Sequence, residues 1–505
     1  METFAQQYAP LIRGVISCFD RVVLSGSLPA IRYAEAMAAY LNSQGMKLFE
    51  YTRFVNHLRE ELRDHAEKIA HEAGCPIEFI RRVDGFRKED RVKEILKQRG
   101  PHPGLVHIFS AMERCTAFYP WFNKRTGKTT LKVKDGKCLH YYFYFIDAHL
   151  GICYLRVPTW APFRLQFYFN GHNWLARKLH DQGVAFNLVD NAFIDISDFE
   201  EAQRLADSFN VRQLHSILDK YALFCCPVVA RFQPAVHWCI MQIEYATDTV
   251  FRRREDLQRF YQPLVRTAVH AVKVDQIAKF LGRKGVSQTS KAEIGTDFGT
   301  RIEGTRIKHW MANSSIKMYD KYGFVLRLET TSNDVRNFRH YRKVVHRGGV
   351  GSSMKVAPVL KNIYSLNIMA ELLRAANRRY EAFLCALKEP SVDLRHVNRI
   401  AAPVRKAGRN YHGFNLFRGF DLELFVALAR GEHTINGLRN SDLRRHLPLT
   451  SVQVSRLLKR LRLHGLLKKV PRCHKYYLTA LGRRLIACCL RLREEIVLPS
   501  LAHNT

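Results

Sequence analysis

Between residues 420 and 487 the apolar side chains repeat at helical spacing three times over and then alternate, with capping residues and a glycine at the joins. Few folds accept that pattern. Asp421 to Arg430 reads as a helix turned inward on Leu424, Phe425 and Leu428. Asn440-Ser441-Asp442 opens a short second helix carrying Arg444 and Arg445. Thr450 caps a third, Ser451 to His464, packed through Val454, Leu457, Leu458 and Leu461 and stopped by Gly465. Leu466 to Val470 and Lys475 to Thr479 then flank Pro471-Arg472-Cys473-His474 as a short hairpin. The order predicts a winged helix-turn-helix domain over 416–495. Its third helix leaves Gln453, Ser455, Arg456, Lys459 and Arg460 outward, residue types that reach base edges and phosphates from a major groove. Lys468, Lys469, Arg472 and Lys475 give the hairpin a basic tip suited to the DNA backbone or minor groove.

The charge balance agrees with that reading. The 505 residues hold 80 Lys and Arg against 46 Asp and Glu, a net charge of +34, and 47% of them are hydrophobic. Such a chain buries a sizeable core yet repels itself unless an anion neutralises it, and nucleic acid is the commonest such partner. Residues 411–505 hold 17 basic and 6 acidic side chains, a difference of 11, so most of the excess lies upstream. No run of about 18 apolar residues occurs and no secretory leader is expected, so a cytoplasmic protein without a membrane partner is predicted. The 12 cysteines include no CxxC pair and read as reduced, mostly buried thiols; Cys115, Cys138 and His140 are the one conceivable zinc set.

Upstream, the pattern is α/β in the broad, α+β sense, with mixed and antiparallel sheets over 1–195. A strand from Val15 to Leu24, helices over 51–73 and 88–99, and a strand from Leu105 to Phe109 lead into hairpins at 125–128 and 147–151. Phe163, Leu165, Phe167 and Phe169 alternate with Arg164, Gln166 and Tyr168. Residues 196–299 read as mainly helical, opened by Ser197 and Glu200 in capping-box spacing. A β-hairpin section, 300–345, is expected to pack on the first domain. Residues 346–415 read as a linker, glycine- and serine-rich at 346–353, followed by a helix over 361–387.

Two groups of upstream residues carry possible chemistry, and a third does not. Arg164, Gln166 and Tyr168, with Lys317 and Tyr319, would form an exposed platform on which single-stranded DNA or RNA stacks. The alternative is a half-buried sheet whose polar face meets helices. Asp20, Glu113, Asp147 and Asp190 lie at strand ends, where carboxylates hold Mg²⁺ or Mn²⁺ in nucleases, though they are equally ordinary turn residues. Thr126-Gly127-Lys128 lacks the upstream glycine of a phosphate loop.

The words VSRLLKRLRLHGLLKK and KYYLTALGRRL resemble the winged-helix domain of MarR-type transcriptional regulators, which implies DNA binding by that segment. FDRVV, NGHNWLA, KMYDK with LRLETT, and TINGLRNSDLR resemble words shared by a set of long, uncharacterised bacterial proteins, which implies a single architecture. SIKMYDK followed by LRLETT is similar to rolling-circle replication initiators of plasmids and phages. That resemblance implies a metal-binding role for Glu329 and a nucleophilic one for Tyr341, although no His-hydrophobe-His pair accompanies them. Together these lead to a modular bacterial nucleic-acid-binding protein aimed at DNA by its C-terminal domain. The alternative is a metal-dependent nuclease, recombinase or replication initiator of a mobile element or plasmid. Neither reading fixes the oligomeric state.

Overall fold

The computed structural model describes residues 4–81, 87–270, 272–283, 293–301, 304–345, 351–386, 398–415, 418–430, 433, 437–471 and 473–492. The chain divides into two compact units, residues 1–387 and 388–505. In chain order the first unit runs α1 (Phe4–Gln7), β1 (Ile12–Ser27), α2 (Ala34–Ser43), α3 (Tyr51–Glu72), β2 (Ile77–Phe79), α4 (Lys88–Arg99), β3 (Gly104–Asn123) and β4 (Lys128–Asp147). It continues through β5 (Gly151–Pro158), β6 (Leu165–Asn170), α5 (Gly171–Asp181), β7 (Phe186–Val189), β8 (Ala192–Ile196), α6 (Phe199–Asp207), α7 (Val211–Cys225) and β9 (His237–Phe251). Then follow α8 (Arg254–His270), α9 (Val274–Phe280), β10 (Ile294–Arg301), β11 (Gly304–Met311), β12 (Ser314–Lys321), β13 (Val325–Ser332), β14 (Arg339–Val345), β15 (Ser352–Pro358) and α10 (Leu366–Ala386).

Eleven of these strands form one sheet, in the order β10-β11-β12-β13-β9-β1-β6-β5-β4-β3-β2. All its neighbours pair antiparallel except β2 and β3. The alternation read at 163–169 holds: Phe163, Leu165, Phe167 and Phe169 are buried. They join a large apolar cluster with α3, α5 and α7, through residues such as Leu58, Leu175 and Leu218. A second cluster packs Ile316, Met318, Leu326 and Leu328 against α8 and α10 through Leu257, Tyr261 and Tyr380.

The architecture is α+β, and the expected divisions shift in four places. The stretch 196–299 does carry α6 to α9, but the strand β9 lies inside it, between β13 and β1 near the middle of the sheet. Thr247, Thr249 and Val250 there are β-branched, and a strand with both neighbours in place satisfies their stiff side chains. The cap of α6 is Asp198 rather than Ser197, its carboxylate accepting from the amides of Glu200 and Glu201 at 3.0 and 2.9 Å. The section 300–345 joins the first domain by strand pairing: β13 pairs along β9, so β10–β13 extend the main sheet. Of the expected linker, 346–350 lie outside the described residues, and Ser352 and Ser353 already pair with Val345 and Val344.

The second unit holds α11 (Gly419–Leu428), α12 (Asn440–Arg444), α13 (Ser451–Leu463), a hairpin of β16 (Leu467–Lys469) and β17 (Tyr476–Leu478), and α14 (Ala480–Leu492). Leu424, Phe425, Leu443, Val454, Leu457, Leu458, Leu461 and Ile486 share its core. α13 begins in a capping box. The Thr450 hydroxyl accepts from the Gln453 amide at 3.4 Å, and the Gln453 side chain accepts from the Thr450 amide at 2.8 Å. Gly465, at φ +77°, ends the helix in the left-handed conformation glycine adopts freely. Among the described residues, no helix is long and apolar enough to cross a membrane.

Candidate functional site

Three sequence words far apart in the chain, FDRVV, NGHNWLA and KMYDK with LRLETT, meet in one buried polar network in the first unit. Strand pairing explains how. Lys317 stands opposite Glu329 and Tyr319 opposite Arg327, while β9 sets Asp248 opposite Arg327 and Glu244 opposite Thr331. Directly opposed residues share a face, so all of these point one way. The β1–β9 register slips between Phe19 and Val22, and Asp20 sits in that irregularity. α5 starts where β6 ends: Asn170 caps it, accepting from the amides of His172 and Asn173. Gly171 lies so close to β1 that a Cβ would stand 2.2 Å from the Phe19 carbonyl oxygen.

Arg327 is the hub and is wholly buried. Its Nε and Nη2 donate to the two Asp248 oxygens at 2.6 Å each, its Nη2 also to the Asn191 carbonyl at 2.6 Å, and its Nη1 to Asp20 at 3.4 Å. Asp20 further accepts from Asn170 at 2.8 Å and Asn191 at 2.7 Å. His172 Nδ1 lies 3.3 Å from Asp20 and its Nε2 lies 3.0 Å from Arg327 Nη2. Burial pushes the Asp20 carboxyl up, but the His172 hydrogen bond and the Arg327 charge outweigh it and hold the group well below the carboxylate range. Lys321, also bonded to Asn191, is pushed down to about 8 by burial and by Arg327.

Beside this hub, carboxylate oxygens of Asp20, Glu244 and Glu329 all lie within 4.8 Å of one another. Lys317 Nζ stands 2.5 Å from Glu329 and 3.6 Å from Glu244, and the Tyr319 hydroxyl donates to Glu329 at 2.5 Å. Burial first, and the charge of Glu329 second, push the Glu244 carboxyl up. Three carboxylates at this spacing are the donor set of a hard divalent cation. Lys317 already balances the charge of Glu329 and Glu244, so a cation entering here would have to displace it.

Of the strand-end carboxylates singled out in the sequence, only Asp20 joins Glu329. Glu113 accepts from Tyr142 at 2.5 Å and from Arg156 at 2.6 and 3.0 Å. Asp147 caps its own turn through the amides of His149 and Leu150 and accepts from Tyr221. Asp190 pairs with Lys93 at 2.9 Å. Tyr341 stands 64% exposed on the β14–β15 ribbon, outside the network. The zinc set does not assemble: His140 Nδ1 is 3.0 Å from the Cys138 carbonyl, and the trio is not among the converging ligand groups of the described residues.

The expected platform needs the same correction. Lys317 and Tyr319 share a face with their strand partners, but that face is covered by the start of α5 and the β7–β8 turn, so neither ring nor cation is free to stack. Tyr168 is half-buried, stacked on Tyr154 at 5.0 Å beneath the Arg21 guanidinium, and Arg156 Nη1 donates to Gln166 at 3.4 Å. Arg164 is exposed. Glu244, Asp248, His172 and Asn191 escaped the sequence reading. The first two lie on β9, and the signal that could have found it is the β-branched run Thr247, Thr249, Val250.

In the second unit, Arg444, Arg445, Gln453, Ser455, Arg456, Lys459, Lys468 and Lys469 are exposed and Lys475 is half-buried. Gln453 is engaged in the cap of its own helix, and Ser455 accepts from Asn440 at 2.9 Å. Arg460 turns inward: Nε donates to the His412 carbonyl at 2.8 Å and the guanidinium lies 3.8 Å over the Phe414 ring. Arg472 lies outside the described residues. Arg456, Lys459, Lys468 and Lys469 therefore make up most of the outward basic surface of α13 and its hairpin.

No family model matches the sequence, and no curated protein does. Among solved structures, the chain is similar to a rolling circle replication initiator protein from Geobacillus stearothermophilus, at 11% identity. That likeness covers 72% of this chain and 97% of the other, with a TM-score of 0.19. A likeness this slight assigns neither fold nor activity.

Proposed function

We propose that the protein binds nucleic acid and is directed to duplex DNA by a C-terminal winged helix-turn-helix, with α13 as the recognition helix. The observation that carries this reading is the division of α13 into two faces. Val454, Leu457, Leu458 and Leu461 are buried, whereas Arg456 and Lys459 stand outward with the hairpin lysines Lys468 and Lys469 exposed beside them in sequence. In this reading Arg456 meets a base edge and Lys468 a phosphate. In the full-length protein, Arg456→Ala should weaken binding to a selected duplex by about 1–3 kcal/mol and relax base preference. Lys468→Ala should weaken all duplexes alike. Unchanged titrations with both variants would overturn the assignment and favour a domain that docks on protein.

A second reading, metal-dependent cleavage or strand transfer on DNA, is favoured by the convergence of Asp20, Glu244 and Glu329. A Mg²⁺ or Mn²⁺ ion held there would polarise a phosphodiester. Glu244, half-buried and with its proton affinity raised, is the member most open to a ligand. Nicking of supercoiled DNA that needs Mn²⁺ and is lost in Glu244→Gln would support it; no nicking by the parent protein at any Mn²⁺ level would rule it out.

A further inference from the structure

The longest hairpin of the first unit runs past the sheet that anchors it. β4 pairs with β5 only from His140 to Asp147, while β3 and β4 stay paired out to Asn123 and Lys128. Residues 114–123 and 128–137 thus form a two-stranded arm roughly 34 Å long, at about 3.4 Å per residue. Between 114 and 137 the arm carries seven Lys and Arg and one acidic residue, Asp135.

The register sorts its side chains. Phe118, Pro120 and Leu131 share one face, and Phe118 and Leu131 are buried in the main core beside Tyr51. The other face sets Tyr119 opposite Lys132, Trp121 opposite Thr130 and Ala117 opposite Lys134. Lys132 Nζ lies 3.3 Å from the Trp121 ring centre and Lys134 Nζ 5.8 Å from that of Tyr119. Both rings remain half-exposed and both lysines exposed. At its base the arm borders a trough of about 590 Å³, lined by Ala117 and Lys134 of this face and by Lys137, Trp160 and, from α3, Arg59 and Arg63. Glu60 pairs with these arginines at 2.7 and 3.2 Å, but all three are solvent-exposed enough for such pairs to be weak.

We infer that this face of the β3–β4 arm, with the trough at its base, is a binding site for single-stranded nucleic acid. Two aromatic rings one pleat apart along a strand offer successive stacking platforms, and lysines on the partner strand lie where a backbone tracking those bases carries its phosphates. A duplex presents no free base faces to such rings, so stacking selects the single strand. The inference rests on the nucleic-acid reading above for the class of ligand, but uses different residues in the other unit.

The experiment is a pair of anisotropy titrations on the full-length protein, one with labelled oligothymidine of about 15 nucleotides and one with a duplex. Trp121→Ala should weaken oligothymidine binding roughly tenfold and leave duplex binding within about twofold, while Trp121→Phe keeps most of the affinity. The surface charge variant Lys132→Glu/Lys134→Glu should weaken oligothymidine binding and flatten its salt dependence, without relying on an aromatic residue for folding. Three results would overturn the site: no binding of oligothymidine by the parent, parent-like binding by Trp121→Ala and the charge variant, or equal loss of both ligands in Trp121→Ala at unchanged melting temperature. Loss of duplex binding in Arg456→Ala with oligothymidine binding intact would leave it standing, so the two proposals fail separately.

Discussion

Arg327 shows how much of this molecule depends on single buried charges. Removing one partner of a buried ion pair strands the other, at a cost of about 3–5 kcal/mol, far more than the pair itself contributes. Arg327→Met should therefore lower stability by about that amount, because Asp248 loses both its guanidinium hydrogen bonds. Urea unfolding of parent and variant measures it; a loss under about 1 kcal/mol would mean that the network relaxes or takes in water. The same residues set the acid limb of stability. Burial raises the Asp248 carboxyl, but the Arg327 charge and the His172 contact pull it below its ordinary value of 3.8, and Asp20 is lowered likewise. A depressed carboxylate contributes stability that is full above the ordinary value and lost as pH falls through the folded one. Stability should hold from neutral pH to about 5 and drop below about 4, and the drop should shrink in Asp248→Asn. An equal drop in both proteins would place its source elsewhere.

At the scale of elements, α5 is the part whose position decides the network, since it delivers His172 from a start pressed against β1. Gly171→Ala would drive a methyl group into the Phe19 carbonyl and should cost about 1–3 kcal/mol by overpacking. Thermal melting reads this directly, and a melting point equal to the parent's would show that the β6–α5 junction shifts freely. The sequence was legible at this scale wherever periodicity was clean. α3, α4 and the hairpin turns lie where spacing puts them, and so do the Thr450 cap and C-terminal glycine of α13. It was illegible where one pattern has two meanings. Alternation says which residues share a face, so Lys317 and Tyr319 were rightly placed together, but it does not say whether water or α5 covers that face. Arg460 sits on the outward side by helical count, yet its long side chain folds back to two backbone carbonyls, which no spacing rule foresees.

For the whole molecule, a charge of +34 with two separate basic surfaces makes binding a counterion problem. The logarithm of the duplex affinity should fall linearly with the logarithm of salt, with a slope near −0.9 per phosphate neutralised, and each lysine removed from the β16–β17 hairpin should lower that slope by about 1. A duplex affinity that ignores salt between about 50 and 200 mM would exclude phosphate contacts as its main source.

The place of β1 has a consequence for how the protein is made. It precedes every other described strand in the chain, yet its partners are β6 and β9, and β9 ends only at Phe251. At about 5–20 residues per second, some 11–45 s of synthesis separate Ser27 from Phe251. Through that interval an apolar, β-prone segment waits without its complete ladder, and every contact that completes it closes a long loop. Nascent chains cut short before β9 carry an unpaired strand edge. They are the species for which chaperones compete with aggregation.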